Sequence, residues 1–140
     1  MSTEDDLSDE ALVAGFESTE LSADRFTHAA HVRVAWYYLR SRSLLDAMAR
    51  FAAGIRRFAN SKGATTKYHE TITIAYLLII HERLNGARSL TWASFADRNP
   101  DLFDRPLLSR YYSEQLLTSE RARDVFVLPD RLETSGRAYS

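Results

Sequence analysis

The sequence predicts a single all-α domain, a bundle of five to seven helices with a buried central helix at about residues 66–85. The chain of 140 residues is 45% hydrophobic and 26% charged, which is typical of one globular domain with its own core. Apolar residues recur every three or four positions in several segments, and capping residues precede those segments. No repeat or linker divides the chain, so one domain covers residues 1–140, with 1–6 and 130–140 expected to fray.

The first half of the chain predicts three helices. Ser8 offers an N-cap for a short first helix. A second helix is expected at residues 27–41, and its periodicity puts Arg33 on the outer face. A third helix begins after Ser43 and ends near Gly63, and its regular apolar stripe identifies it as scaffold.

The segment at residues 66–85 is the most apolar part of the chain. Its β-branched residues also suit a strand, but the segment is too long for a typical strand and does not alternate. Asn85 and Gly86 supply a helix C-terminal signal. Since isoleucine and leucine point all round the axis, we expect a central and deeply buried helix.

The last third of the chain predicts shorter helices. One is expected at residues 91–95 and is broken at Asn99 and Pro100, because proline restricts the residue that precedes it. Asp104 offers a cap for another, and the last is expected at residues 119–127, closed by Pro129.

Composition and charge exclude several classes of protein. The chain has no cysteine, which removes disulfides, thiolate zinc sites, iron–sulfur clusters and cysteine nucleophiles. A net charge of −1 with dispersed basic residues argues against nucleic-acid binding. The longest apolar run, residues 72–80, is far shorter than the roughly 20 residues of a membrane span. With no signal-peptide pattern at the N-terminus, we expect a cytoplasmic protein without nucleic-acid or membrane partners, and a homo-oligomer is compatible with the sequence.

Two polar segments precede apolar helices and are the candidate site. Residues 26–31 read F-T-H-A-A-H, and residues 67–73 read K-Y-H-E-T-I-T. His28 and His31 lie roughly 60° apart around one helix, so both rings straddle its inner face. If His69 begins a neighbouring helix, three imidazoles converge and form a ligand set for a divalent metal ion such as Zn, Fe, Mn or Cu.

Tyr68 and Glu70 are the candidate catalytic residues beside this metal site. Glu70 lies roughly 100° around its helix from His69, which suits a general base or a hydrogen-bond partner of a ligand better than a ligand. His81 would lie about 18 Å along the helix from His69 and is excluded. The leading hypothesis is therefore a metal-dependent enzyme that acts on a small-molecule substrate.

Two alternatives use the same residues without a metal ion. The histidines line a metal-free polar pocket, or they are structural residues that cap helices and bond within the core. Either alternative makes the chain a non-catalytic small-molecule-binding or interaction module.

The chain resembles a family of small bacterial proteins of unassigned activity. The motifs F-T-H-x-x-H-V at residues 26–32 and Y-H-E-T-I-T at residues 68–73 carry the resemblance, together with Trp92 and the segments 99–102 and 110–113. The likeness covers most of the chain between the first and the last of these segments. It implies that they form one unit, and it implies no reaction.

Overall fold

The computed structural model describes residues 7–64 and 68–131, and this part of the chain is helical without a strand. The prediction of an all-α fold is confirmed. The seven α-helices are α1 (Asp9–Ser18), α2 (His28–Ser41), α3 (Leu44–Ser61), α4 (Glu70–Arg83), α5 (Trp92–Arg98), α6 (Glu114–Leu117) and α7 (Glu120–Asp124). Short 3₁₀ helices lie at Ala23–Arg25, Pro100–Phe103 and Arg105–Arg110. None of the helices at residues 7–64 and 68–131 is long and apolar enough to cross a membrane.

Side chains just before the α-helices determine where they begin. In each case an oxygen or nitrogen of the side chain accepts a hydrogen bond from a backbone N–H of the first turn, which would otherwise lack a partner. The capping residues are Ser8, Thr27, Ser43, His69, Thr91, Ser113 and Ser119. The cap predicted at Ser8 is confirmed and the third helix begins after Ser43 as predicted, whereas Asp104 makes no side-chain cap.

The core is built around α2, which packs against α1, α3 and α4. Eight of its 14 residues are buried, including Trp36 and Tyr38. On one side Phe16, Phe26, Phe51 and Phe58 form an aromatic cluster that joins α1 and α3 to the segment before α2. On the other side Trp36 contacts the rings of Trp92 and Phe95.

The fourth helix is central, as predicted, because it contacts α2, α3 and α7. It buries fewer residues than α2, however, namely Thr71, Ala75, Leu77 and Ile80. Leu78 remains 37% exposed. An apolar surface all round a helix therefore did not mean complete burial here, since neighbouring elements cover only part of α4.

The expectation that Arg33 lies on an outer, solvated face is wrong. Arg33 is only 7% exposed, and its Nε and Nη2 atoms donate to Oδ1 of Asp9 at 2.9 and 2.7 Å. Nη2 also donates to the backbone carbonyl of Leu7 at 3.0 Å. Helical periodicity distinguishes the two faces of α2 but does not reveal that α1 covers the second one.

The C-terminal end of the described chain is extended, and α7 is shorter than the helix predicted at residues 119–127. The buried hydroxyl of Thr71 donates to Val125 O at 2.8 Å and accepts from Val127 N–H at 3.2 Å. These two bonds hold the segment along α4, so it does not continue the helix.

The predicted fraying concerns residues that lie mostly outside the described ones, namely 1–6 and 132–140. Asp130 and Arg131, which the same prediction included, are bonded to the domain. The carboxylate of Asp130 accepts from the backbone N–H and the hydroxyl of Ser113, at 2.8 and 2.7 Å. Arg131 N–H donates to Tyr111 O at 2.8 Å.

Replacing Gly54 with alanine should destabilise the protein. A Cβ atom at Gly54 would lie 2.6 Å from Cε2 and 2.7 Å from Cζ of Phe16, a ring that the aromatic cluster holds in place. Overpacking of this kind costs about 1–3 kcal/mol, whereas helix propensity alone would favour alanine by roughly 1 kcal/mol. We expect a lower free energy of unfolding in urea.

Ala53→Gly is the matched control for this prediction, because Ala53 is exposed in the same turn of α3. This variant should show only the difference in helix propensity between alanine and glycine, which lowers the free energy of unfolding by roughly 1 kcal/mol. A Gly54→Ala variant that gains a similar amount would contradict the close approach of Phe16.

Candidate functional site

The two polar segments meet at a pocket of about 230 Å³ that we call the outer pocket. It lies beside the start of α2, the second half of α3 and the residues that precede α4. The first segment contributes Phe26 and His31, and the second contributes Tyr68. The remaining lining residues are Ala23, Ile55, Phe58, Ala59, Lys62 and Ala64.

The walls of the outer pocket are mainly apolar. Phe26 and Phe58 are buried, and their ring centroids lie 4.7 Å apart. The His31 ring stacks on Phe26 with 3.9 Å between centroids. Since two of these rings belong to the aromatic cluster, the core itself holds the pocket walls in position.

His31 provides a hydrogen-bond acceptor in this apolar setting. Its Nδ1–H donates to Thr27 O at 2.8 Å, within the first turn of α2. Burial, and to a smaller degree the nearby His28, lowers the pKa of His31 to about 4. The ring is therefore neutral at pH 7, with its proton on Nδ1 and a lone pair on Nε2.

Tyr68 is bonded to an ion pair at the edge of the outer pocket. Its hydroxyl donates to Oε1 of Glu70, which also accepts from Nη2 of Arg56 at 3.1 Å. The Arg56 guanidinium lies 4.9 Å from the centre of the Tyr68 ring. Burial, followed by the hydrogen bond to Glu70, raises the pKa of Tyr68 to about 12, so the phenol stays protonated at neutral pH.

Lys62 is the cation that lines the outer pocket. Its ammonium donates to Thr19 O at 2.9 Å and lies 5.1 Å from the centroid of the Phe58 ring. Among residues 7–64 and 68–131, no carboxylate lies within ion-pair distance of this ammonium. Two of its three N–H groups are left over after the bond to Thr19.

His28 borders a different space, an inner cavity of about 70 Å³ on the other side of His31. Its Nε2–H donates to Leu102 O at 3.0 Å, and its ring meets Tyr76 edge-on with 5.1 Å between centroids. His31 lines both the inner cavity and the outer pocket and is the residue that they share.

His69, predicted to face the site, is used within the fold. Its Nδ1 accepts from Ile72 N–H at 3.1 Å and caps α4, and its Nε2–H donates to Leu117 O at 2.8 Å. A metal ligand needs a free ring lone pair, and neither nitrogen of His69 has one. In the described part of the chain, no three His, Asp or Glu side chains are placed to hold one metal ion.

At the start of α4 it is Tyr68, and not His69, that lines the outer pocket. Histidine is not among the usual N-cap residues, so the sequence offered capping only as an alternative for the histidines and did not assign it to His69. With His69 directed towards Leu117, Tyr68 and Glu70 are the residues of this segment that lie at the outer pocket or bonded to its lining. Lys67 lies outside the described residues.

Lys62 and Arg56 are site residues that the sequence did not identify. Both belong to the helix interpreted as scaffold or to its end, and basic residues there usually form a solvated face. No local signal marks Lys62, because its partner Thr19 is 43 residues away along the chain.

A second, more apolar space lies between α4 and residues 125–129, and we call it the C-terminal groove. Its volume is about 340 Å³. Arg83 at its edge is held by the carboxylate of Asp101 at 2.8 Å and by Asn99. The C-terminal groove contains no residue of either histidine segment.

No family model matches this chain, no curated protein is significantly similar to it, and no solved structure matches it.

Removing the imidazole of His69 should destabilise the fold. His69→Ala loses the α4 cap and the bond to Leu117, for an expected cost of about 1–3 kcal/mol in urea unfolding. His69→Asn keeps a capping side chain and should lose less. Equal stability of the alanine variant and the parent would contradict the structural role.

Protonation of His31 should weaken the fold in acid. The pKa of His31 is lowered to about 4 from the 6.5 of an unhindered ring, so between these values the unfolded state binds more protons than the folded state. The free energy of unfolding should therefore fall as pH decreases through this window, by on the order of 1–3 kcal/mol.

The control for this pH dependence is His31→Gln, measured by urea unfolding at several pH values. It should be less stable at neutral pH but should lose less stability between pH 6.5 and 4.5. Carboxylates titrate in both proteins, so the difference between the two slopes isolates His31. Parallel slopes would be inconsistent with a His31 ring that is neutral in the folded protein.

Proposed function

We propose that this chain binds a small molecule in the outer pocket, without a metal ion, as a non-catalytic module. The observation that carries the proposal is that Phe26, His31 and Tyr68, from the two histidine segments, line one pocket with apolar walls. Small-molecule sites in proteins typically combine such walls with a few convergent polar groups. His31, Tyr68 and Lys62 are those groups.

The protonation states favour binding over acid–base catalysis. A general acid or base works best when its pKa is near the working pH. The pKa of His31 is about 4 and that of Tyr68 about 12, so neither group exchanges a proton readily at pH 7. Both groups are suited to fixed hydrogen bonding.

The metal-dependent enzyme expected from the sequence stays a prediction. In that hypothesis His28, His31 and His69 hold the ion, and Glu70 and Tyr68 act on the substrate. It requires His69 to give up its bond from Ile72 or its bond to Leu117, and the three side chains to move together, since no three such groups of the described residues are placed to hold one ion. The metal-free proposal requires none of these changes.

Filling the outer pocket should abolish binding while leaving the fold intact. We expect members of a panel of small aromatic and aliphatic compounds to raise the melting temperature in the presence of EDTA, because a ligand that binds only the folded state stabilises it. Ala59→Phe places a ring in the pocket and should remove these shifts. Ala53→Phe adds the same ring at an exposed position of α3 outside the pocket, and should keep them.

Two results would contradict the proposal. One is a panel that gives no shift in EDTA but clear shifts after loading with Zn²⁺, Fe²⁺, Mn²⁺ or Cu²⁺, with about one ion per chain, which would favour the metal enzyme. The other is a set of shifts that Ala59→Phe leaves unchanged. Such shifts would place the ligand elsewhere, for example in the C-terminal groove.

A further inference from the structure

The ligand class follows from the charges around the outer pocket, and this inference rests on the proposed function. We propose that the outer pocket accepts a small monocarboxylate with an aromatic or similarly apolar body and a hydrogen-bond donor. Lys62 would bind the carboxylate, Phe26 and Phe58 would contact the body, and Nε2 of His31 would accept the donor.

The charge balance points to a single negative charge on the ligand. Three basic side chains lie at the pocket, namely Arg56, His31 and Lys62, and the first two carry no unpaired positive charge. Arg56 is paired with Glu70 at 3.1 Å, and the ring of His31 is neutral. Lys62 is then the remaining cation at the pocket: no carboxylate of the described residues pairs with it, and its one positive charge matches one carboxylate.

The surroundings of Lys62 make it suitable for recognising an anion. Thr19 O accepts one of its N–H groups, which fixes the ammonium at the pocket and leaves two donors. The Phe58 ring lies 5.1 Å from the ammonium, so apolar surface adjoins the charge. A ligand that places a carboxylate next to an apolar ring would match both neighbours, because an ion pair is stronger where water is partly excluded.

The polar edge of the pocket explains why the ligand needs a hydrogen-bond donor. The proton of His31 lies on Nδ1, so its Nε2 can accept but not donate. The hydroxyl of Tyr68 is already bonded to Glu70 and has Thr73 as a second hydrogen-bond neighbour. A hydroxyl or amine on the ligand would satisfy Nε2 of His31.

The test measures binding of matched probes by calorimetry on the full chain. The probes are the three hydroxybenzoates, the corresponding neutral hydroxybenzamides, and phenyl phosphate as a dianion. We expect at least one hydroxybenzoate to bind roughly tenfold or more tightly than its amide, and this advantage should shrink as NaCl is added. Phenyl phosphate should bind more weakly than the best carboxylate.

Lys62→Met should remove the advantage of the carboxylate and leave the affinity for the amide unchanged, which also verifies that the variant is folded. Arg57→Gln removes a positive charge from an exposed position of the same region and should keep the advantage. If Lys62→Met fails to fold, the test is the effect of NaCl on the parent protein: the advantage of the hydroxybenzoate over its amide must shrink if a cation binds the carboxylate.

The remaining outcomes separate the ligand class from the proposed function. Amides that bind as tightly as the carboxylates, or a tighter phenyl phosphate, would overturn the monocarboxylate while leaving a binding pocket. The same conclusion follows if other panel compounds bind and these probes do not. If no compound binds in a way that Ala59→Phe blocks, the proposed function itself fails.

Discussion

The aromatic cluster of Phe16, Phe26, Phe51 and Phe58 is the contact on which the site depends. It joins α1 and α3 to the segment before α2, and Phe26 and Phe58 are at the same time walls of the outer pocket. The close approach of α1 to α3 at Gly54 gives Phe16 its place among these rings. Because the rings pack at the density of a protein interior, the core shapes this part of the pocket wall.

The histidines illustrate how one residue type takes different roles according to its surroundings. His69 bonds with both nitrogens inside the fold, and one of these bonds ties α4 to residues near the end of the described chain. Thr71, two residues later, also ties α4 to this region, because its hydroxyl bonds to the backbone of Val125 and Val127. The start of α4 is thus a structural junction on one side, towards α6 and α7. Only on the other side, at Tyr68, does it border the pocket.

Most polar groups near the outer pocket are hydrogen-bonded to one another, so few atoms are left that could bond to a ligand. Glu70 serves both Tyr68 and Arg56, so a phenol, a carboxylate and a guanidinium leave no unbalanced charge. Leaving a half-buried polar group without a partner is costly, and this arrangement avoids that cost. The ammonium of Lys62 and the Nε2 atom of His31 are what remain for a ligand.

The helical class and most helix boundaries follow from the sequence. They depend on interactions within a few residues: Ser8 caps the helix that begins beside it, the third helix begins after Ser43, and the apolar periodicity of α3 is already present in the sequence. The sequence also predicted that two segments about forty residues apart would meet. It offered capping only as an alternative for the histidines and did not assign it to His69, because the second bond of His69, to Leu117, lies 48 residues away and selects the orientation of the ring.

Only the tertiary structure decided which polar residues face the pocket. Arg33 is buried because α1 brings Asp9 to it, and Lys62 is at the site because Thr19 holds its ammonium. In both cases the partner is supplied by a distant part of the chain, and no local pattern encodes that approach. Of the three candidate metal ligands, His69 caps a helix, His28 lies beside the inner cavity and His31 lines the outer pocket. The physical reason is that a ring nitrogen bonds to the group that packing places next to it, and sequence spacing does not specify that group.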